Sequence, residues 1–199
     1  MERLERVLDF WFGSAENDVE VSAEKSALWF GKNNDFDRKI EQRFGTLVSE
    51  ASSGSLNASV NSPRSRLAVI ILLDQFSRNI YRGRPQSFAS DPLALQFAQD
   101  GLKKADDQKL RPIERVFFYL PFEHSEDLEM QNRSVELFST LVRDGPDTRE
   151  KVFSGFLDYA VRHRDIILRF GRFPHRNETL GRTSTAEELA FLTQPGSSF

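Results

Sequence analysis

The chain has 199 residues, 39% hydrophobic and 29% charged, a balance that supports a folded globular protein of ordinary domain size and excludes a disordered one. The absence of cysteine excludes disulfides, thiolate metal sites and cysteine nucleophiles. A formal net charge of −3 gives no reason to expect nucleic acid or an anionic membrane surface as a partner, so any basic site is local.

The N-terminal "MERLERVLDFWFG" has charges where a signal peptide needs an unbroken apolar stretch, and no segment reaches the roughly 18 apolar residues of a membrane span. A cytoplasmic protein with no membrane partner, folded as one domain over residues 1–199, is the expectation. Leu4, Val7, Leu8 and Trp11 recur at helical spacing before Gly13 stops the run. Phe36, Ile40, Phe44, Leu47, Val48 and Ala51 repeat the pattern up to the loop-like "SSGSLNAS". Ser62 and Pro63 then read as an N-cap and first helical residue leading into "RLAVIILLDQF", apolar all round and therefore buried. The β-branched "LAVIILL" would also suit a strand, but helical spacing continues through Phe76 and Ile80.

Asp91 and Pro92 open the next helix in the same way, with Leu93, Ala94, Phe97, Ala98 and Leu102 on its inner side. Pro112 starts another, which Pro121 is expected to end. Ser125 is placed to cap a helix with Glu126 and Asp127 in its first turn and Leu128, Val135, Phe138 and Val142 as its stripe, stopped by Gly145 and Pro146. A further helix buries Val152, Phe153, Phe156, Ala160, Ile167 and Phe170, and "STAEELAFL" offers Ser184 and Glu187 as a capping box. These are about eight helices in an all-α architecture, a bundle or a helical-hairpin superhelix, with no regular repeat period.

Polar residues interrupt this pattern in three places. Asp74 shares a helix face with Leu67 and Ile70, and Arg78 follows one turn on. "FEHSEDLE", residues 122–129, has four carboxylates and no Lys or Arg. Residues 162–182 hold six arginines against Asp165 and Glu178, suited to bidentate contacts with carboxylate or phosphate. All three histidines, His124, His163 and His175, lie in the latter two segments. Asp74 with Arg78, Glu126 with Asp127, and Arg172 with Arg176 are expected to converge on one partly buried site, because only mutual pairing makes their burial tolerable. A structural ion-pair network is the competing account of the same residues.

The histidines have no metal-motif spacing: HExxH is absent, and Glu123 beside His124 is not the Glu-x-x-His of di-iron bundles. No metal and no cofactor are therefore expected. GxSxG, GxGxxG and GxxxxGK[ST] are absent too, so no hydrolase elbow or phosphate loop is present.

The blocks "LLDQFSRNIYRG", "FFYLPFEHSEDLEMQNRSVELF" and "HRDIILRFGRFPHRNETLGRTSTAEELAFL" resemble the domain-of-unknown-function 924 family over nearly the whole chain. The resemblance implies an all-helical fold similar to tetratricopeptide-like superhelices, and it implies nothing about function, because the family has no established activity. Its motif blocks fall on Asp74, Gln75, Arg78 and Asn79; on His124, Ser125, Glu126 and Asp127; and on His163, Arg164, Asp165, Gly171, Arg172, His175, Arg176, Asn177 and Arg182. Ser77 stands where the family pattern usually has proline. The leading functional expectation is a binding module whose pocket takes a small anionic ligand or a peptide carboxylate. Its residues are Asp74, Arg78, His124, Glu126, Asp127, His163, Arg172, His175, Arg176, Asn177 and Arg182. The alternative is an enzyme using a histidine with Glu126 or Asp127 as an acid–base pair.

Overall fold

The computed structural model describes residues 2–144 and 147–198, with backbone only at 147–151. Among the described residues 74% lie in helical segments and no strand occurs. Nine helices are present there: α1 (Glu2–Phe12), α2 (Asp18–Phe30), α3 (Asn34–Ser52), α4, α5 (Asp91–Lys103), α6 (Pro112–Glu123), α7 (Leu128–Arg143), α8 (Asp147–Phe170) and α9 (Ala186–Leu192). Helix α4 runs through three contiguous pieces, Pro63–Ile71, a π turn at Leu72–Phe76, and Ser77–Ile80.

Helix α4 is the centre of the molecule. From Leu67 to Leu73 it is at most 1% exposed, as its unbroken apolar run predicts, and it packs against α1, α3, α5 and α6. Its start is fixed by a reciprocal cap between Ser62 and Ser65 with Pro63 at the first position. Trp11 of α1 meets Phe76 and Phe117 with ring centroids 5.4 and 5.5 Å apart, joining α1, α4 and α6. Helices α6, α7 and α8 follow one another through short connections and pack in sequence. At the foot of α8 a small second cluster gathers Ile166, Ile167 and Phe173.

Several local expectations are corrected. Helix α2 has no counterpart in the periodicity reading because only Asp18, Val21 and Trp29 of it are buried. Pro121 does not end α6, which continues to Glu123 because Phe122 and Glu123 on its far side are themselves buried. Ser125 does not cap α7; Asp127 does, accepting the Glu129 and Met130 N–H groups at 2.8 and 3.1 Å. The buried face of α7 is Gln131, Ser134, Leu137, Phe138 and Leu141, whereas Leu128 is exposed and Val135 and Val142 are half-buried. Two of those inward residues are polar, so a purely apolar stripe is drawn one position off. The cap of α9 is Thr185 with Glu188, not Ser184 with Glu187, one residue further along. The expected stop at Gly145 and Pro146 lies outside the described residues.

Candidate functional site

Asp74 sits in the π turn of α4 and is completely buried. π turns recur at functional positions in helices. Its Oδ1 accepts from His124 Nδ1 at 2.6 Å, and its other oxygen accepts from Gln75. Arg78, one turn on, lies 3.3 Å from Oδ1 and donates to the Asp74 main-chain oxygen at 2.7 Å. Burial alone would raise the Asp74 carboxyl, but Arg78 and His124 hold it well below the usual range, so it is ionised and His124 Nδ1 is the donor.

The main partner of Arg78 is Asp91, bound through two contacts of 2.9 Å. Asp91 therefore does not cap α5: its carboxylate turns away from its own helix. The same Asp91 receives Arg176 Nη1 at 3.4 Å. Arg176 is only 6% exposed, with its guanidinium carbon over the rings of Phe88 and Phe173 at 4.7 and 4.4 Å from the centroids. Its Nε is buried with no hydrogen-bond partner among the described residues. Burial, and then repulsion from Arg78, bring its pKa down to about 10, so it stays charged at neutral pH.

The acidic segment enters through Glu126. It accepts the Phe173 N–H at 2.8 Å and two bonds from Arg182, at 2.6 and 3.0 Å. Arg182 also donates to the Phe173 carbonyl at 3.0 Å, so this pair fixes the ring that lies under Arg176. Behind His124 the His163 ring lies 6.2 Å away between centroids, with Nδ1 2.8 Å from the Tyr159 carbonyl and 3.3 Å from Glu123 Oε1. His175 stacks near Phe173 at 5.6 Å; burial and then Arg176 lower its pKa to about 4, so it is neutral. His124 and His163 are lowered too, by burial first and then by Arg78 and His124 respectively.

The fold thus gathers Asp74, Arg78, His124, Glu126, His163, His175, Arg176 and Arg182. It leaves out three residues of the expected set. Asp127 is exposed and spent on capping α7. Arg172 forks onto Glu188 of α9 at 2.6 and 2.8 Å. Asn177 donates to Ser184 and to the same Glu188 at 3.0 and 3.3 Å. Those last two hold the C-terminal helix in place. Conversely, Asp91, Phe88 and Phe173 belong to the cluster without standing out in the sequence, and Glu123, which the sequence places in the acidic segment but not among the site residues, belongs to it too. Asp91 reads as a helix start from its place before Pro92. Two open surface cavities, one lined by Phe10, Phe36 and Arg43 and the other by Tyr119 and Arg133, lie away from these residues.

The profile of a family described as "Bacterial protein of unknown function (DUF924)" matches residues 7–196. A solved structure of a protein of unknown function from Agrobacterium tumefaciens is similar, with 38% identity and a TM-score of 0.80, covering 95% of this chain and 96% of that one. Comparison with curated proteins gives no match.

Proposed function

The chain belongs to the bacterial DUF924 family, and we propose that it is a cytoplasmic, tetratricopeptide-like binding module whose Arg176 cluster holds a small anion, the carboxylate or phosphate of a metabolite or peptide end. The observation that carries the reading is the state of Arg176. A guanidinium has five N–H donors. This one, 6% exposed, spends one on a 3.4 Å contact with Asp91, which Arg78 already holds bidentately. Two phenyl faces cover the planar guanidinium, and such cation–π contacts contribute up to about 2 kcal/mol when desolvated. A buried cation with idle donors is costly, and an anion is the partner that removes the cost.

Net charge is not the attraction. Arg78, Arg176 and Arg182 stand against Asp74, Asp91 and Glu126, three to three. What exceeds is donor capacity, which makes the site selective for geometry instead of for charge. The second reading, an enzyme, rests on the Asp74–His124 contact of 2.6 Å, which orients an imidazole for proton transfer. Glu126 and Asp127 are unsuited as its acid–base partners, being committed to Arg182 and to a helix cap.

Arg176→Met tests the binding reading. Removing the guanidinium leaves Asp91 paired with Arg78 through two contacts, so no buried charge is stranded and the penalty of a broken buried pair does not arise. The variant is expected to melt at or above the wild-type temperature without ligand. Phosphate, citrate or an acidic peptide should stabilise the wild type, by about 2.7 kcal/mol at a hundred times the Kd, and leave the variant unmoved. A variant destabilised by about 3–5 kcal/mol, together with a wild type that no anion stabilises, would make Arg176 a structural residue only.

A further inference from the structure

We propose that Glu123, His124 and His163 form a binding site for one divalent transition ion of the zinc class. The three residues come from the end of α6 and the middle of α8, so no motif spacing connects them, and the expectation of no metal rests on spacing alone. In the folded chain each offers one ligand atom, and the three atoms lie within 4.8 Å of one another. Zinc ligands bonded at about 2.0–2.2 Å in a tetrahedron stand roughly 3.3 Å apart, so closing the site needs side-chain adjustments of about an ångström.

The imidazoles are prepared for the task. His124 Nδ1 donates to the buried Asp74 carboxylate at 2.6 Å, and His163 Nδ1 lies 2.8 Å from the Tyr159 carbonyl. A metal-binding histidine characteristically gives its other ring N–H to a carboxylate or a backbone carbonyl, which sets the tautomer and the ring orientation. One partner of each kind is present here.

Glu123 supplies the independent sign. It is 3% exposed; Oε1 has a 3.3 Å contact with His163, and Oε2 is buried with no partner among the described residues. Carboxylates buried for packing have their oxygens satisfied. The backbone carrying two of the ligands is also held: Gln131 Nε2 donates to the carbonyls of Glu123 and Ser125, both at 2.6 Å. Arg78 and Arg176 oppose a cation nearby, while Asp74 and Asp91 offset them. Two nitrogen donors and one carboxylate favour zinc, cobalt or nickel over magnesium or calcium. Three protein ligands leave at least one coordination position open. The inference shares His124 and His163 with the gathered cluster, but the anion reading is carried by Arg176, which is no ligand here.

The test is titration of chelator-treated protein with Zn²⁺ and with Co²⁺ in phosphate-free buffer. The expected result is saturation at one ion per chain, with visible cobalt bands of nitrogen–oxygen coordination. Glu123→Gln and His124→Gln should each weaken binding at least about 100-fold, and Asp74→Asn by about 10–100-fold, as for the loss of a ligand's supporting carboxylate. Metal-free melting curves check that each variant folds; His124, being only half-buried, carries the test if Glu123→Gln does not fold. A wild type that binds no stoichiometric ion, or a folded His124→Gln that binds as well as the wild type, overturns the proposal. The response of the wild type to phosphate, measured with chelator present, is unaffected by either outcome.

Discussion

Glu123 is a buried carboxyl that keeps its proton at neutral pH. Burial first, then the negative charge of Asp74, push it up to about 8. In the unfolded chain a glutamate ionises near about 4.3. Between those values the folded protein holds a proton that the unfolded one has lost, so this residue makes stability fall as pH rises from about 4.5 to 8. In metal-free buffer, Glu123→Gln should therefore gain stability relative to the wild type across that window and show little difference below it. Urea denaturation at a series of pH values measures this, and parallel wild-type and variant curves would contradict it. His163 acts in the opposite sense: held well below its usual range, by burial first, it withdraws stability as pH falls below about 6.5. Both proteins carry His163, so the comparison isolates Glu123.

The elements owe their positions to a few close approaches. Helix α5 meets α4 and α6 at Gly101, where an added Cβ would lie 2.4 Å from Phe118 and 2.5 Å from the Arg66 side chain. Arg66 cannot swing away cheaply, since it is buried and bound to Asp106 at 2.9 Å and to the Phe97 carbonyl at 3.3 Å. Gly101→Ala should cost about 1–3 kcal/mol by overpacking, although alanine is the better helix former; thermal denaturation checks the sign. Helix α7 behaves differently because its start depends on one exposed side chain. Asp127→Ala should cost about 1 kcal/mol through loss of the cap and leave the anion response of Arg176 intact. An altered response would return Asp127 to the site from which the fold removes it.

The whole molecule is closed by its C-terminal part. After α8, Gly171 turns the chain with φ +68, a conformation glycine adopts without strain. Residues 172–192 then return over the cluster, with Arg182 on Glu126 and Arg172 on Glu188. The hydrogen bond from Arg172, aided by the Thr185 N–H, lowers Glu188 to about 2. That contribution is complete above the unfolded glutamate range and is lost as pH falls from about 4.3 toward 2. Amide exchange near pH 2.5 should therefore show residues 173–192 opening before α4. Glu188→Gln should show a similar loosening of this segment at neutral pH. Simultaneous loss of protection in both regions would mean that the two unfold as one unit.

The all-helical class, the burial of α4 and the Ser62–Pro63 start were legible in the sequence because they are local. Apolar spacing reports which face a helix buries, and a cap needs only its own first turn. Where an inward face carries Gln131 and Ser134, or where a helix such as α2 buries only three residues, that signal fades. The polar cluster was legible in part: Asp74 and Arg78 stand out because charges on an apolar face need partners. The partners themselves were not. Asp91 meets Arg176 across 85 positions and His124 meets Asp74 across 50, separations at which no periodicity links two residues. Tertiary packing alone decided that Glu126 joins the cluster while its neighbour Asp127 caps a helix, and that Arg176 joins while Arg172 ties down α9. The physical reason is that a charged side chain pairs with whatever the folded backbone brings within hydrogen-bonding distance, and hydrophobic burial, distributed along the entire chain, sets that distance.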